Sequence, residues 1–355
     1  MTKISIAMAT YNGERFIRQQ LDSFVRQTLL PSELIICDDG STDSTVRIIN
    51  TFVLSAPFPV VIVHNSARLG YTANFLQAAQ KCQGELIAFS DQDDEWLPHK
   101  LARILHASQE SDAFLLAHAA EWIDEDGNLV GVVYPAHRRF RKYLRKSDFP
   151  GHAIVIRKLL LEMTLRSLAP DHYKEVAGDV EFGHDVLLLE IANAMDKVLY
   201  IPEVLMRWRV YSDTNHAWTK ILKTPPHART SLLKRMFPPD LAEKYRASEA
   251  YYRKHSVLLA GMLRDMETFG RDAALASERL VRSMNLMTKR ADVMELRARY
   301  YGRLPRKERI RLLLQGAAMG QYRNSAKGGV GLHNAIRDIL ACLLNECDRF
   351  GGKLQ

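Results

Sequence analysis

The chain has 355 residues, 47% of them hydrophobic and 25% charged, which exceeds one ordinary domain and supplies apolar side chains for two packed units. It has no run of 18 or more apolar residues, and its opening eight residues are too short an apolar stretch for a secretory signal, so neither a spanning helix nor export is expected and the expected location is cytoplasmic. The net charge of +8 is unevenly placed: residues 1–219 hold 22 Lys and Arg against 28 Asp and Glu, and residues 220–355 hold 27 against 13, which sets the expected boundary between a domain 1–219 and a basic domain 220–355.

In chain order, the apolar run Ile4 to Ala9 reads as a strand, Thr10-Tyr11-Asn12-Gly13 as a turn, and Phe16, Ile17, Leu21, Phe24 and Val25 as one face of a helix. The unit repeats: Leu34 to Cys37 is a buried strand, Asp38 to Asp43 a polar loop, and Val46, Ile48, Ile49 and Phe52 a helix face. Val60 to Val63 and Leu86 to Ser90 make two more strands, the latter running into Asp91. Strands this apolar, alternating with helices, predict an α/β fold with a mostly parallel sheet covered by helices on both faces. Further on, Phe114 to His118 reads as a strand, Ile123 to Leu129 as a hairpin turn, and Ala153 to Ile156 as a strand; the basic stretch 138–146 is either a solvated loop or a clamp for a polyanion. Asp185 falls at the start of an apolar helix over Val186 to Ala192. From about Asp240 the apolar spacing is helical throughout, in Leu241, Tyr245, Tyr252, Leu259, Met262, Leu263 and Met266 and again in Ile336, Ile339, Leu340, Leu343, Leu344 and Cys347, which predicts a C-terminal α-helical domain. Cys37, Cys82, Cys342 and Cys347 lack paired metal spacing and read as reduced core residues.

In an open sheet of this type, ligands gather beyond the carboxyl ends of the strands, and Thr10-Tyr11-Asn12, Asp38-Asp39 and Asp91-Gln92-Asp93-Asp94 all fall at that edge. Two carboxylates two residues apart on a loop suit a hard divalent cation, Mg²⁺ or Mn²⁺, whose coordination a substrate diphosphate would complete; a solvated turn is the bland reading. Asp38-Asp39 offers a carboxylate to a base or ribose, or an N-cap to the following helix. Neither a G-x-G-x-x-G fingerprint nor a G-x-x-x-x-G-K-[ST] loop is present, which disfavours hydride transfer and ATP hydrolysis.

The segments Ala9-Thr10-Tyr11-Asn12-Gly13, Ile35-Ile36-Cys37-Asp38-Asp39-Gly40-Ser41-Thr42-Asp43 and Ser90-Asp91-Gln92-Asp93-Asp94-Glu95-Trp96-Leu97-Pro98-His99-Lys100, in that order and on those strands, resemble the family 2 glycosyltransferases of the GT-A fold over roughly residues 1–215. The Asp-Gln-Asp-Asp form, His184-Asp185 and Arg207-Trp208-Arg209 followed by Asn215-His216 are similar to rhamnosyltransferase-like members that build bacterial surface polysaccharides. The chain departs from them at Val186-Leu187, where an aromatic is usual.

The resemblance implies an inverting transfer from a UDP- or dTDP-sugar, with rhamnose among the candidate sugars, to a glycan or lipid-linked acceptor, assisted by a divalent metal. It places Asp185 as the general base, a role compatible with capping its helix. Thr10, Tyr11 and Asn12 would line the nucleotide pocket, Asp39 would read base or ribose, Asp91 and Gln92 would face the ribose or metal, and Asp93 would be the principal metal ligand. Arg68 would approach the diphosphate or be a surface cation. His152 and His184 would contact donor sugar or acceptor, His216 diphosphate or metal, or each would be structural; Trp208 would stack on a sugar or plug the core. The other reading is an inactive nucleotide-sugar-binding scaffold of a membrane-associated assembly. The basic C-terminal domain lacks the aromatic and basic alternation of a nucleic-acid surface, so no nucleic acid is expected; peripheral docking on an anionic inner-membrane face through residues 303–311, or a homo-oligomer contact, is expected instead.

Overall fold

A computed structural model describes residues 2–134, 150–167, 183–211, 241–265, 273–302 and 305–318. The chain divides into two compact units, Met1–Ile221 and Leu222–Gln355.

The first unit is built on one nine-stranded sheet. Strands β1 (Ile4–Thr10), β2 (Glu33–Asp38), β3 (Val60–His64) and β4 (Leu86–Ser90) lie parallel in the order β3-β2-β1-β4. They form the parallel half that the apolar runs predicted. Past β4 the sheet becomes mixed, with β8 (Ile154–Arg157) antiparallel to β4 and β6, β6 (Leu115–Ile123) parallel to β9 (Val198–Arg209), and the short β5 (Glu95–Trp96) antiparallel to β9. A hairpin sends β7 (Leu129–Tyr134) back along β6; its turn holds Gly127 at φ +87°, a left-handed backbone that glycine takes without strain.

Helices α1 (Ile17–Val25), α2 (Thr45–Val53) and α4 (Lys100–Gln109) cover one face. Ile17, Leu21, Phe24, Ile49, Phe52, Leu101 and Ile104 interlock there with Ile4, Ile6, Met8, Leu34, Ile36 and Trp96 in one core. Alternate residues of the same strands, Ala7, Ile35 and Phe89, are buried on the other face, where α3 (Tyr71–Lys81) packs on β1, β2 and β4 and α6 (His184–Ala194) packs on α3, α5 (Lys158–Ser167), β6 and β9. Both faces are thus apolar, which is why these strands read as continuous hydrophobic runs. Cys37 and Cys82 are buried free thiols.

In the second unit α7 (Leu241–Asp265) and α8 (Ala273–Tyr300) pack along each other and α9 (Arg306–Ala318) follows on α8. Leu258, Leu259, Met262, Leu280, Met287, Ala291 and Leu296 are among its buried residues, and the buried Arg297 donates to the Tyr245 hydroxyl at 2.8 Å. Among the described residues no helix is long and apolar enough to cross a membrane. The stretch 138–146, the helical pattern at 336–347, Cys342 and Cys347 lie outside the described residues.

Candidate active site

The parallel strands end at one edge, and the first wall of the site grows from their register. Thr10 of β1 is opposite Asp38 of β2, and its hydroxyl donates to Asp38 Oδ2 at 2.8 Å while Ser41 donates through its N–H at 2.9 Å and its hydroxyl at 2.5 Å. Neither Asp38 nor Asp39 caps α2, whose N-cap position is Ser44; Asp43, one residue before it, accepts from Thr45 N at 2.9 Å. Asp39 is buried and accepts from Asn65 Nδ2 (3.0 Å), Leu69 N (2.7 Å) and Gly70 N (2.9 Å), which folds segment 65–70 over the end of β2. Gly70, at φ +81°, then starts α3. Thr10 and Asp39 therefore fix the fold of these loops from behind.

Tyr11, Asn12 and Arg68 are exposed at this edge, with the Arg68 guanidinium 3.9 Å from the centre of the Tyr11 ring. Asn12 adopts φ +47°, a conformation Asn tolerates better than most residues, and its Oδ1 accepts from Thr42 N at 2.8 Å. Gln92 grips the Tyr11 backbone with both ends of its amide: Oε1 accepts from Tyr11 N at 2.9 Å and Nε2 donates to Tyr11 O at 3.0 Å. A Cβ on Gly13 would overlap Gln92 Cδ, so the glycine leaves room for that grip. Gln92 thus ties the β1 loop to the acidic loop.

At the end of β4 the carboxylates meet a histidine. His152, in the 3₁₀ turn Gly151–Ala153, is 1% exposed; its Nδ1 lies 2.7 Å from Asp91 Oδ2 and 3.2 Å from Asp94 Oδ2. Burial alone would lower the His152 pKa, but the facing charges of Asp94 and Asp91 outweigh it and hold the imidazole above its ordinary value. Burial, reinforced by repulsion among Asp91, Asp93 and Asp94, raises Asp93 and Asp94 above the usual carboxylate range. Asp94 is 1% exposed, accepts from Arg209 N at 3.0 Å through Oδ1, and has no hydrogen bond at Oδ2 among the described residues. Lys100 is wholly buried under this loop, with Nζ 3.6 Å from the Trp96 ring centre and 3.2 Å from His152 O. Burial drives its pKa well down against the pull of Asp94 and Asp91.

One donor atom each from Asp91, Asp94 and His152 lie within 4.8 Å of one another. Two carboxylates and an imidazole are a donor set that Mn²⁺ and similar divalent ions accept, and the buried Asp94 Oδ2 gives such an ion an otherwise unbonded oxygen. Asp93, expected as the principal metal ligand, adjoins this group in the same loop, and its Oδ2 accepts from the Tyr211 hydroxyl at 2.7 Å. His216 lies outside the described residues. His152 therefore faces the acidic cluster, and Trp208, 3% exposed and packed edge-on against Trp122 (5.6 Å) and His152 (4.8 Å), is a core ring behind it with no face open to a sugar.

Asp185 is the partly exposed member of the His184-Asp185 pair, and its Oδ1 accepts from Val186 N at 2.8 Å, so it does support the first turn of α6. His184 is buried, stacked on Phe75 at 4.2 Å and against Phe89 at 4.8 Å, and burial lowers its pKa. Glycines make the contact with the cluster: a Cβ on Gly151 would stand 2.6 Å from His184 Nε2 and 3.5 Å from Asp185 Cβ, and one on Gly183 would overlap Asp185 Oδ1. Asp185 is thereby brought beside the turn that carries His152. Asp94, Lys100 and Arg209 lie within the motifs that carry the family resemblance but have no role assigned by spacing, and Tyr211 lies outside them; their contacts arise only in the folded chain.

Residues 5–163 match the model of glycosyl transferase family 2. The chain carries a family 2 glycosyltransferase domain. The family 2 region is also similar to curated relatives: it is 35% identical over 122 residues, 34% of this chain and 38% of the other, to an uncharacterized glycosyltransferase of Nostoc sp.. It is 32% identical over 132 residues, 37% of this chain and 51% of the other, to WfaP of Escherichia coli, a UDP-Glc:alpha-D-GlcNAc-diphosphoundecaprenol beta-1,3-glucosyltransferase. The chain thus spans 38% and 51% of the lengths of these relatives. Among solved structures, S. aureus TarS 1-349 in complex with UDP matches with a TM-score of 0.50 at 16% identity, covering 91% of this chain and 93% of that one, a likeness of fold.

Proposed function

We propose that the chain is an inverting glycosyltransferase that moves a sugar from a nucleoside diphosphate donor, UDP- or dTDP-linked, to a hydroxyl of a glycan or lipid-linked acceptor in surface polysaccharide assembly. The observation that carries this reading is the convergence of Asp91, Asp94 and His152 with Asp185 at the end of β4, at the sheet edge where Tyr11 and Arg68 are exposed. WfaP, which acts on UDP-glucose and a lipid diphosphate acceptor, supports the donor and acceptor classes.

Tyr11 offers an aromatic face to the base and Arg68 a cation to the diphosphate. Asp91, Asp94 and His152 would hold a divalent cation, Mn²⁺ or Mg²⁺, with Asp93 close by. Such a cation would neutralise the charge that develops on the departing diphosphate. Asp185 takes the proton of the acceptor hydroxyl as its oxygen attacks the anomeric carbon from the face opposite the diphosphate. The bond from that carbon to the phosphate oxygen breaks, and the nucleoside diphosphate leaves with the electron pair. With Oδ1 fixed by Val186 N, the Asp185 carboxylate is aimed before substrate arrives, which favours catalysis. Peripheral docking of the second unit on an anionic leaflet belongs to the same proposal: α9 exposes Lys307 and Arg311 with Ile310 and Leu314, although 303–304 lie outside the described residues.

Calorimetric titration of UDP and dTDP, with and without Mn²⁺, tests the donor site in the wild type and in Asp91→Asn and Asp93→Ala variants. The expected result is binding of one nucleotide that Mn²⁺ tightens and Asp91→Asn weakens. Metal-independent binding, or none, would overturn the metal assignment.

A further inference from the structure

Past residue 163, where the family match ends, the end of β9 reaches the acidic loop from the other side. Arg209 is 2% exposed and every nitrogen of its guanidinium has an acceptor. Nε donates to Asp93 O at 3.0 Å, Nη1 to Asp124 O and Glu125 O, both at 3.0 Å, and Nη2 to Gln19 Oε1 at 2.7 Å. Its backbone N–H donates to Asp94 Oδ1 at 3.0 Å, and the guanidinium lies 4.6 Å from the centre of the Phe16 ring. Two residues on, Tyr211 donates its hydroxyl to Asp93 Oδ2 at 2.7 Å and sets its ring 5.1 Å from that of Phe16.

A buried guanidinium is costly unless its donors are met, and here they are met by three separate elements: the acidic loop, the β6–β7 turn and α1. The contacts fall on the Asp93 carbonyl, the Asp93 carboxylate and the Asp94 carboxylate, the groups that determine where those side chains point. The planar fork of Arg is what spans the three acceptor directions; a lysine ammonium at the same depth would reach one of them.

We propose that Arg209 and Tyr211 are positioning residues that set the Asp93 and Asp94 carboxylates for a divalent cation. This deepens the proposed function and rests on the acidic cluster being a cation site. Arg209 joins α1 and the β6–β7 turn to that site, so both elements become part of its support.

The test uses the full chain with Mn²⁺ and UDP as probes. Calorimetry gives the Kd for Mn²⁺ in the presence of UDP and the Kd for UDP without metal, for wild type, Arg209→Lys and Tyr211→Phe, and thermal unfolding is recorded for each. The expected result is Mn²⁺ affinity at least tenfold weaker in both variants, as outer contacts of metal ligands commonly give, with metal-free UDP affinity unchanged. A merely structural role would lower the unfolding temperature and leave the Mn²⁺ affinity of the folded protein intact, and that result would overturn the proposal. If Arg209→Lys fails to fold, Tyr211→Phe decides alone, because it keeps the ring on Phe16. If wild type binds no Mn²⁺, the cation site itself fails and the proposal with it; wild-type binding equalled by Tyr211→Phe overturns the proposal only.

Discussion

Replacing Gly183 with alanine should disable the proposed base while leaving the nucleotide pocket whole. Gly183 has φ −56° and ψ 151°, a conformation open to any residue, so the backbone is not strained and the smaller unfolded-state entropy of alanine adds about 0.4–1 kcal/mol of stability. The new Cβ, however, overlaps Asp185 Oδ1 and stands 3.3 Å from the Tyr71 hydroxyl. Clearing it displaces the carboxylate by roughly 1 Å and draws Oδ1 away from Val186 N, a first-turn bond whose loss costs about 1 kcal/mol. The two stability effects nearly cancel, whereas a displacement of roughly 1 Å at a reacting group costs about a hundredfold in rate. Steady-state UDP release, calorimetric UDP binding and thermal unfolding, measured together, should show kcat down about a hundredfold, UDP affinity within twofold of wild type, and an unfolding temperature changed by a few degrees at most. Wild-type kcat in a folded Gly183→Ala protein would refute the placement of Asp185 as the base.

Gln92→Met removes both amide bonds to the Tyr11 backbone while keeping the side chain's length; at this half-buried position the loss is about 1 kcal/mol, and calorimetry should show UDP binding roughly fivefold weaker. Burial raises the Cys37 thiol to about 11 and Cys82 further still, so at pH 8 only roughly one Cys37 in a thousand is thiolate. Iodoacetamide at pH 8 should leave both unmodified in the native protein, label them once urea unfolds it, and gain access to Cys37 only as the pH rises toward 11; peptide mass mapping reads each site. If the second unit docks on anionic lipid, flotation with liposomes containing phosphatidylserine should recover the protein, and Lys307→Glu with Arg311→Glu should abolish recovery, each cation near such a surface contributing about 1 kcal/mol. Equal recovery on neutral liposomes would contradict that docking.

The parallel half of the sheet was legible because β1, β2 and β4 are buried on both faces and therefore spell unbroken apolar runs. Strand β9 was not: Pro202, Glu203 and Arg207 interrupt its pattern, and its pairing with β6 carries register shifts, so it reads as irregular chain although it forms a twelve-residue strand. The three loops at the sheet edge were legible from their place after those runs. What spacing could not supply is direction. Thr10 and Asp39 sit in the right loops but turn inward to Asp38 and to segment 65–70, and Trp208 turns to Trp122. In Asp91-Gln92-Asp93-Asp94 neighbouring side chains diverge, so Asp91 and Asp94 meet His152, Asp93 meets Tyr211, and Gln92 turns to Tyr11. His152 and Arg209 join this loop from chain distances of about 60 and 115 residues, contacts that only the sheet order creates.

The most direct test is nucleotide release from a panel of UDP- and dTDP-sugars with Mn²⁺ and a lipid-diphosphate-linked sugar acceptor, compared between wild type and Asp185→Asn. Wild type should release nucleotide from one donor in an acceptor-dependent way, and Asp185→Asn, which keeps the side chain's shape but is not a base, should bind that nucleotide normally and turn over about 10²–10⁴-fold more slowly. Acceptor-dependent release at the wild-type rate from Asp185→Asn, or none from any donor by wild type, would contradict glycosyl transfer by this site.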